Sequence, residues 1–261
     1  MNKNILLFAI FALIFTSCQK VIDLKLKSSE TKYVLKGEVV AGDSTHYLSI
    51  TTTIPFDQPN AFPGVSGAIV TLSDDLGNST AMVDAGQGDY FAYNFLAVEG
   101  RTYTMTVVIE GETIESTCTM PFTVPLFGAV ALPSSFFGLE GNLIVPGFQD
   151  PAEYVNYYRF RYFEKDSMDI NDSGDIISDD GVSNGQINQQ PFIGGYFPLS
   201  GDTVIYRMYG IPESVYTFYF SKQTNTNSGS GSPANPISNW SGDVLGYFTA
   251  HNVQEIELVI P

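Results

Sequence analysis

The feature that most constrains how this chain folds is a hydrophobic period of two. In "TYTMTVVIEGETIESTCTM", residues 102–120, two alternating runs flank Glu110-Gly111-Glu112. Alternation sends successive side chains to opposite faces, so Tyr103, Met105, Val107 and Ile109 share one face of a strand. On the returning strand Ile114, Ser116, Cys118 and Met120 share one face, and the segment predicts a β-hairpin with Cys118 as a small core residue. The same alternation starts at Tyr33 in "YVLKGEVVAG" and "HYLSITTTI" and returns in "GAIVTLSDDLGN", "EYVNYYRFRYFEK", "DTVIYRMYGI" and "VQEIELVI". With 24 Gly, 14 Pro, 15 Tyr and 19 Phe, the composition suits short strands joined by turns, and the chain reads as mainly β. The stretch "ESVYTFYFSKQ" fits a strand or one short helix.

The first residues have a different role. Lys3, an apolar run from Ile5 to Phe15 and Thr16-Ser17 lead into Cys18. The apolar run is too short to span a bilayer and has the grammar of an export signal, read here as residues 1–17. A cysteine at the cut, in place of a small-residue site, predicts lipidation at Cys18 and membrane attachment. Two or more acyl chains hold stably because each buried methylene contributes about 0.8 kcal/mol. Residues 18–32 then read as a tether.

Lysine plus arginine total 12 against 28 acidic residues, and the formal charge of -16 excludes nucleic acid as a partner. With Cys18 lipidated only Cys118 remains, so no intramolecular disulfide stabilises the fold. Prolines 121 and 125 punctuate the chain, and the reading places one domain at 33–124 and a second at 125–261. In the second, Tyr154, Tyr158, Phe160 and Tyr162 share one parity, and Val155, Tyr157, Arg159, Arg161 and Phe163 the other. The arginines form an exposed stripe or pair with carboxylates. Residues 223–239, "QTNTNSGSGSPANPISN", read as a long flexible loop. Trp240 follows it, either as an anchor to the core or, with Tyr157, as a stacking surface for a ligand or partner.

One candidate metal loop stands out, in the acidic hairpin 166–181. On the calcium-loop template Asp169, Asn171, Ser173, Asp175 and Asp180 take positions one, three, five, seven and twelve, with Gly174 at the turn. Against it, Asp180 replaces the bidentate Glu, and an aromatic strand precedes the loop where a helix belongs. A solvated acidic hairpin tip is the alternative. No other cofactor is expected. The histidines, His46 and His251, have no ligand spacing around them, and no nucleophile elbow or phosphate loop occurs.

An ordered set of strings resembles the lipoprotein family grouped as domain of unknown function 4249, of the Bacteroidetes type. These are "CQKVIDL", "VSGAIVTLSDDLGN", "EGRTYTMTV", "STCTMP", "DPAEYVNYYRFRYF", "DDGVSNGQ", "SGDTVIYRMYGI" and "NPISNWSGDVLGYFTA". The resemblance implies an outer-membrane lipoprotein built of two antiparallel β-sandwich domains of immunoglobulin or fibronectin type, commonly encoded beside a TonB-dependent receptor. It carries no established catalytic or binding residues. The leading expectation is a non-enzymatic, lipid-anchored accessory or binding protein for a TonB-dependent transporter or its cargo. A surface module for glycan or peptide is the second expectation. An extracellular polymer hydrolase is the third, and it would need carboxylates converging in a cleft at the junction of the two halves.

Overall fold

A computed structural model describes residues 30–55, 58–59, 61–136, 139–166, 172–181, 184–227 and 234–261. The predicted hairpin forms as β7 (Thr102–Ile109) and β8 (Glu112–Thr119), with Ile109 opposite Glu112. Its two-residue turn has positive φ at both Glu110 (52°) and Gly111 (87°), the geometry that matches the twist of the flanking strands. β3 (Ile69–Asp74) pairs with β7, and the short β4 (Ser79–Ala81) completes a four-stranded sheet in the order β4-β3-β7-β8.

The larger sheet crosses the expected domain boundary. Its eight strands run β12-β11-β13-β14-β1-β2-β6-β5. β1 (Tyr33–Val40), β2 (His46–Thr52), β5 (Val83–Gly86) and β6 (Asp89–Ala92) come from the first half of the chain. β11 (Tyr157–Glu164), β12 (Ile176–Asp179), β13 (Thr203–Gly210) and β14 (Leu245–Val259) come from the second. β14 joins them. Its residues 245–251 pair in parallel with β1, and residues 252–259 pair antiparallel with β13. β9 (Leu126–Phe136) and β10 (Leu139–Phe148) form a separate two-stranded sheet.

Two β-sandwich cores result. In the first, Leu35, Leu48, Ile50, Tyr90 and Phe248 of the large sheet meet Val70, Leu72, Tyr103, Met105 and Ile114 of the four-stranded sheet. The layers approach so closely at Gly37 that an added Cβ would lie 2.9 Å from the Phe248 ring and 3.1 Å from Met105 Sδ. In the second, Ile144 and Phe148 pack on Tyr158, Phe160, Tyr162, Val204 and Tyr206. The first core does not end at residue 124, because the segment 211–250 returns to it. Residues 31–261 are one compact unit.

The ambiguous aromatic stretch is a helix, α1 (Glu213–Asn227), which takes in the start of the expected loop 223–239. Pro212 precedes its first turn, where the missing N–H costs nothing, and its carbonyl accepts from the Val215 and Tyr216 amides. Val215, Phe218 and Tyr219 are buried at helical spacing, and the Phe218 ring packs 4.7 Å from that of Tyr247. α1 thus covers the face of β14 opposite the four-stranded sheet.

Candidate functional site

β14 changes partner between His251 and Asn252, and the side chains just past this point fix the connection between the two cores. Asn252 donates from Nδ2 to the Pro121 carbonyl (3.0 Å). Gln254 donates to the Val124 carbonyl (2.5 Å) and accepts from the Leu126 amide (3.0 Å). The loop 149–156 folds back beside this connection, with the Phe122 and Tyr154 rings 6.4 Å apart. Around them four large apolar side chains stay exposed: Phe122 (56 %), Phe127 (64 %), Tyr154 (45 %) and Val155 (64 %). Two open clefts flank this surface.

The first cleft, about 430 Å³, is lined by Pro125, Phe127, Gln149, Asp150, Pro151, Ala152, Glu153 and Gly185. Two of the resemblance strings meet here. Asp150 opens "DPAEYVN", and its amide donates to the carbonyl of Gln186 in "DDGVSNGQ" (3.1 Å). Asp150 is fully buried; Tyr158 donates its hydroxyl to Oδ1, and Oδ2 has no hydrogen-bond donor. Burial and the nearby Asp180 carboxylate raise the Asp150 pKa above the usual range, and the Tyr158 hydrogen bond opposes them in part. Among the described residues no basic side chain is paired with this carboxylate. Lys32, Arg101, Arg159, Arg161, Lys165, Arg207 and Lys222 are each paired with other carboxylates, which leaves only Lys36 among the described basic residues.

The second cleft, about 460 Å³, is lined by residues of β8 (Thr117, Cys118, Thr119), by Pro121, Val155 and Tyr157, and by Ile211–Ser214. Tyr157 is half-buried, with its ring 5.1 Å from that of Tyr216, and burial followed by the Glu213 carboxylate raises its hydroxyl pKa. Cys118 is buried and its thiol donates to the Phe248 carbonyl (3.0 Å). Burial pushes the thiol up to about 11, so at neutral pH it is a core residue without nucleophilic character.

The other sequence-selected residues separate. Trp240 is only 5 % exposed, and its indole N–H donates to the Leu35 carbonyl (3.2 Å). It anchors the returning segment and offers no stacking surface, which corrects its candidacy as a ligand contact. In the candidate calcium loop, Asp169 and Asn171 lie outside the described residues. Ser173 is spent on backbone, accepting from the Tyr162 amide and donating to the Gly174 carbonyl. Asp175 pairs with Arg159 (2.6 Å) and Lys222 (3.6 Å). Its neighbour Asp172 pairs with Arg161; burial pushes that carboxyl upward, but the Arg161 hydrogen bonds and the Gly174 amide outweigh it and hold it below the ordinary value. The arginine stripe is therefore a set of ion pairs, with Arg159 over the Tyr209 and Tyr219 rings at 4.7 and 5.1 Å. Asp180 lies apart from these pairs, near Asp150. Among the described residues no three His, Cys, Asp or Glu side chains converge as a metal cluster. His46 and His251 are buried, His46 Nε2 lying 2.7 Å from the Phe95 carbonyl oxygen. Cys18 lies outside the described residues.

Sequence reasoning missed Asp150. Its signal is modest: an acidic residue directly before proline, closing a strand and opening an aromatic-rich loop.

No curated protein matches the sequence. Among solved structures, a two-fibronectin-type-III-domain segment from chicken tenascin is similar at 11 % identity with a TM-score of 0.25, covering 88 % of this chain and 99 % of that one. The family model described as "Domain of unknown function (DUF4249)" matches residues 19–257, nearly the whole length, and the chain belongs to that family.

Proposed function

We propose that the protein is a lipid-anchored, non-enzymatic binding protein of the outer membrane, working with a TonB-dependent transporter or its cargo. The observation that carries this reading is the exposed apolar surface of Phe122, Phe127, Tyr154 and Val155 beside two clefts at the junction of the cores. Side chains of this size on a pinned backbone suit a protein partner, since little ordering is required on association. The Cys18 lipid would hold the protein at the membrane, where such a partner resides.

The test is photo-crosslinking in intact outer membranes, with the crosslinker placed at Val155 or, as a control, at the exposed Leu76. A TonB-dependent barrel captured from Val155 and not from Leu76 supports the proposal. Identical capture from both positions, or none from Val155, refutes it. A second reading, a peptide- or glycan-binding module, is favoured by the exposed Phe127 ring in the same cleft as Asp150 and Glu153. The hydrolase reading gains less, because Asp150 Oδ1 is held by Tyr158 and Oδ2 is buried, an arrangement poorly suited to proton transfer.

A further inference from the structure

We propose that the cleft formed by Phe127, Asp150 and Glu153 receives a cationic side chain, lysine or arginine, from a partner polypeptide. The inference rests on the reading of the protein as a binding protein and specifies the chemistry of one of its sites. Three observations converge. Two acidic residues, Asp150 and Glu153, belong to the cleft wall, and neither has an internal ion-pair partner among the described residues. The Oδ2 of the fully buried Asp150 lacks any donor, which is costly for a polar atom unless something answers its charge. Beside Gln149 and Gly185, the walls Pro125, Phe127, Pro151 and Ala152 are apolar and suit an aliphatic stem, with an exposed aromatic ring for the charged head.

The roles divide between the two acids. Glu153 is exposed and pairs with the incoming cation directly. Asp150, behind it, contributes through its field, which acts at close range in a partly desolvated site whether or not the cation touches Oδ2. A small metal ion fits less well, because beyond the two acids and Gln149 the side chains of the lining are apolar. The groups facing Asp150 are Tyr158 from β11 and Asp180 beyond β12, with Glu153 in the same cleft wall. None is cationic, so protonation of Asp150 removes much of the attraction. Binding should weaken as pH falls.

The full chain is titrated with end-blocked Gly-Lys-Gly and Gly-Arg-Gly, following the backbone amide signals of Ala152 and Gly185. The expected result is saturable shifts with either peptide, and loss of the shifts when the lysine is acetylated. Affinity should fall roughly tenfold or more in Asp150→Asn, which keeps an acceptor for Tyr158, and also in the surface variant Glu153→Gln. It should also decline as pH falls through the raised Asp150 pKa. Equal binding of the acetylated peptide, no effect of either variant, or shifts with calcium chloride alone would overturn the proposal. So would peptide binding that tightens about tenfold in a Lys20, Lys25 and Lys27 to Gln triple variant, since the chain's own tether would then be the occupant. A failed titration alongside a retained Val155 crosslink removes this inference alone. The converse removes only the transporter reading.

Discussion

Asn239 does the work of an absent strand, and replacing it should cost a large share of the stability. Over residues 245–251, β14 has β1 on one side, while β13 joins the other side only from Asn252 onward. Asn239 fills part of that gap. Its Oδ1 accepts from the Phe248 amide (2.8 Å) and its Nδ2 donates to the Phe248 carbonyl (2.7 Å). In Asn239→Ala the buried N–H is left unpaired, at about 1–3 kcal/mol, while the carbonyl keeps the weaker Cys118 donor. With about 1 kcal/mol more for the lost bond to the Phe248 carbonyl, the sum is about 2–4 kcal/mol, or about 5–15 °C in Tm for a domain of this size. Urea unfolding followed by far-UV circular dichroism and by Trp240 fluorescence measures it, coincident transitions showing that the whole fold is reported. Asn239→Asp should fare no better at neutral pH, because it keeps the acceptor but sets a carboxylate oxygen against the carbonyl. If Asn239→Ala falls within about 0.5 kcal/mol of the exposed control Ile237→Ala, the strand-substitute argument is wrong.

Three further expectations concern buried groups. Asp175→Asn removes the carboxylate partner of Arg159, a guanidinium only 15 % exposed, and should cost about 2–4 kcal/mol in urea unfolding; a change below about 0.5 kcal/mol would place the pair outside the fold's energetics. Burial, reinforced by the Arg159 charge, pushes His251 down to about 3. Below about pH 6.5 the unfolded chain therefore takes up a proton that the folded chain refuses, and stability falls as pH drops, by about 2 kcal/mol at about pH 5 from this group. His251→Gln should flatten that slope, His46 contributing in the same direction in both proteins; parallel pH profiles would refute the assignment. In a Cys18→Ser background, Cys118 should resist a thiol reagent at about pH 8 and react fully in denaturant, whereas rapid labelling of the native protein would contradict its burial.

The strands were legible wherever one face is buried and the other wet. β7 alternates half-buried and buried along its whole length, and β8 alternates exposed and buried after its first residue, as their sequences predict. β14 defeated the same test over half its length. "VQEIELV" alternates and reads as a strand, but "GYFTAHN" is buried on both faces, between α1 and the four-stranded sheet, and carries no period of two. The large sheet crosses the expected boundary at 124/125 for the same reason, since the strand that joins the halves carries a readable period over only part of its length. Local spacing left "ESVYTFYFSKQ" undecided because its aromatics serve both a strand pattern and a helix face; Pro212 at the first turn and the packing of Phe218 against Tyr247 settle it. The acidic loop misled in the opposite way. Its oxygens have calcium-loop spacing, but Asp172 and Asp175 answer arginines on the adjacent strand, a relation invisible without the pairing of β11 with β12.

The continuity of β14 also bears on where binding chemistry can reside. A strand shared by two cores, with Asn252 and Gln254 reaching out to the connection at Pro121, Val124 and Leu126, makes the junction a rigid region of the fold. The apolar rim and the Asp150 cleft stand on that junction, assembled from residues 122, 127, 149–155 and 185. Sites held by rigid elements keep their geometry without an ordering cost on binding. The charge distribution points to the same place. Among the described residues the basic side chains other than Lys36 are already paired elsewhere, which leaves the unmatched carboxylate at the junction open to a cation from another molecule.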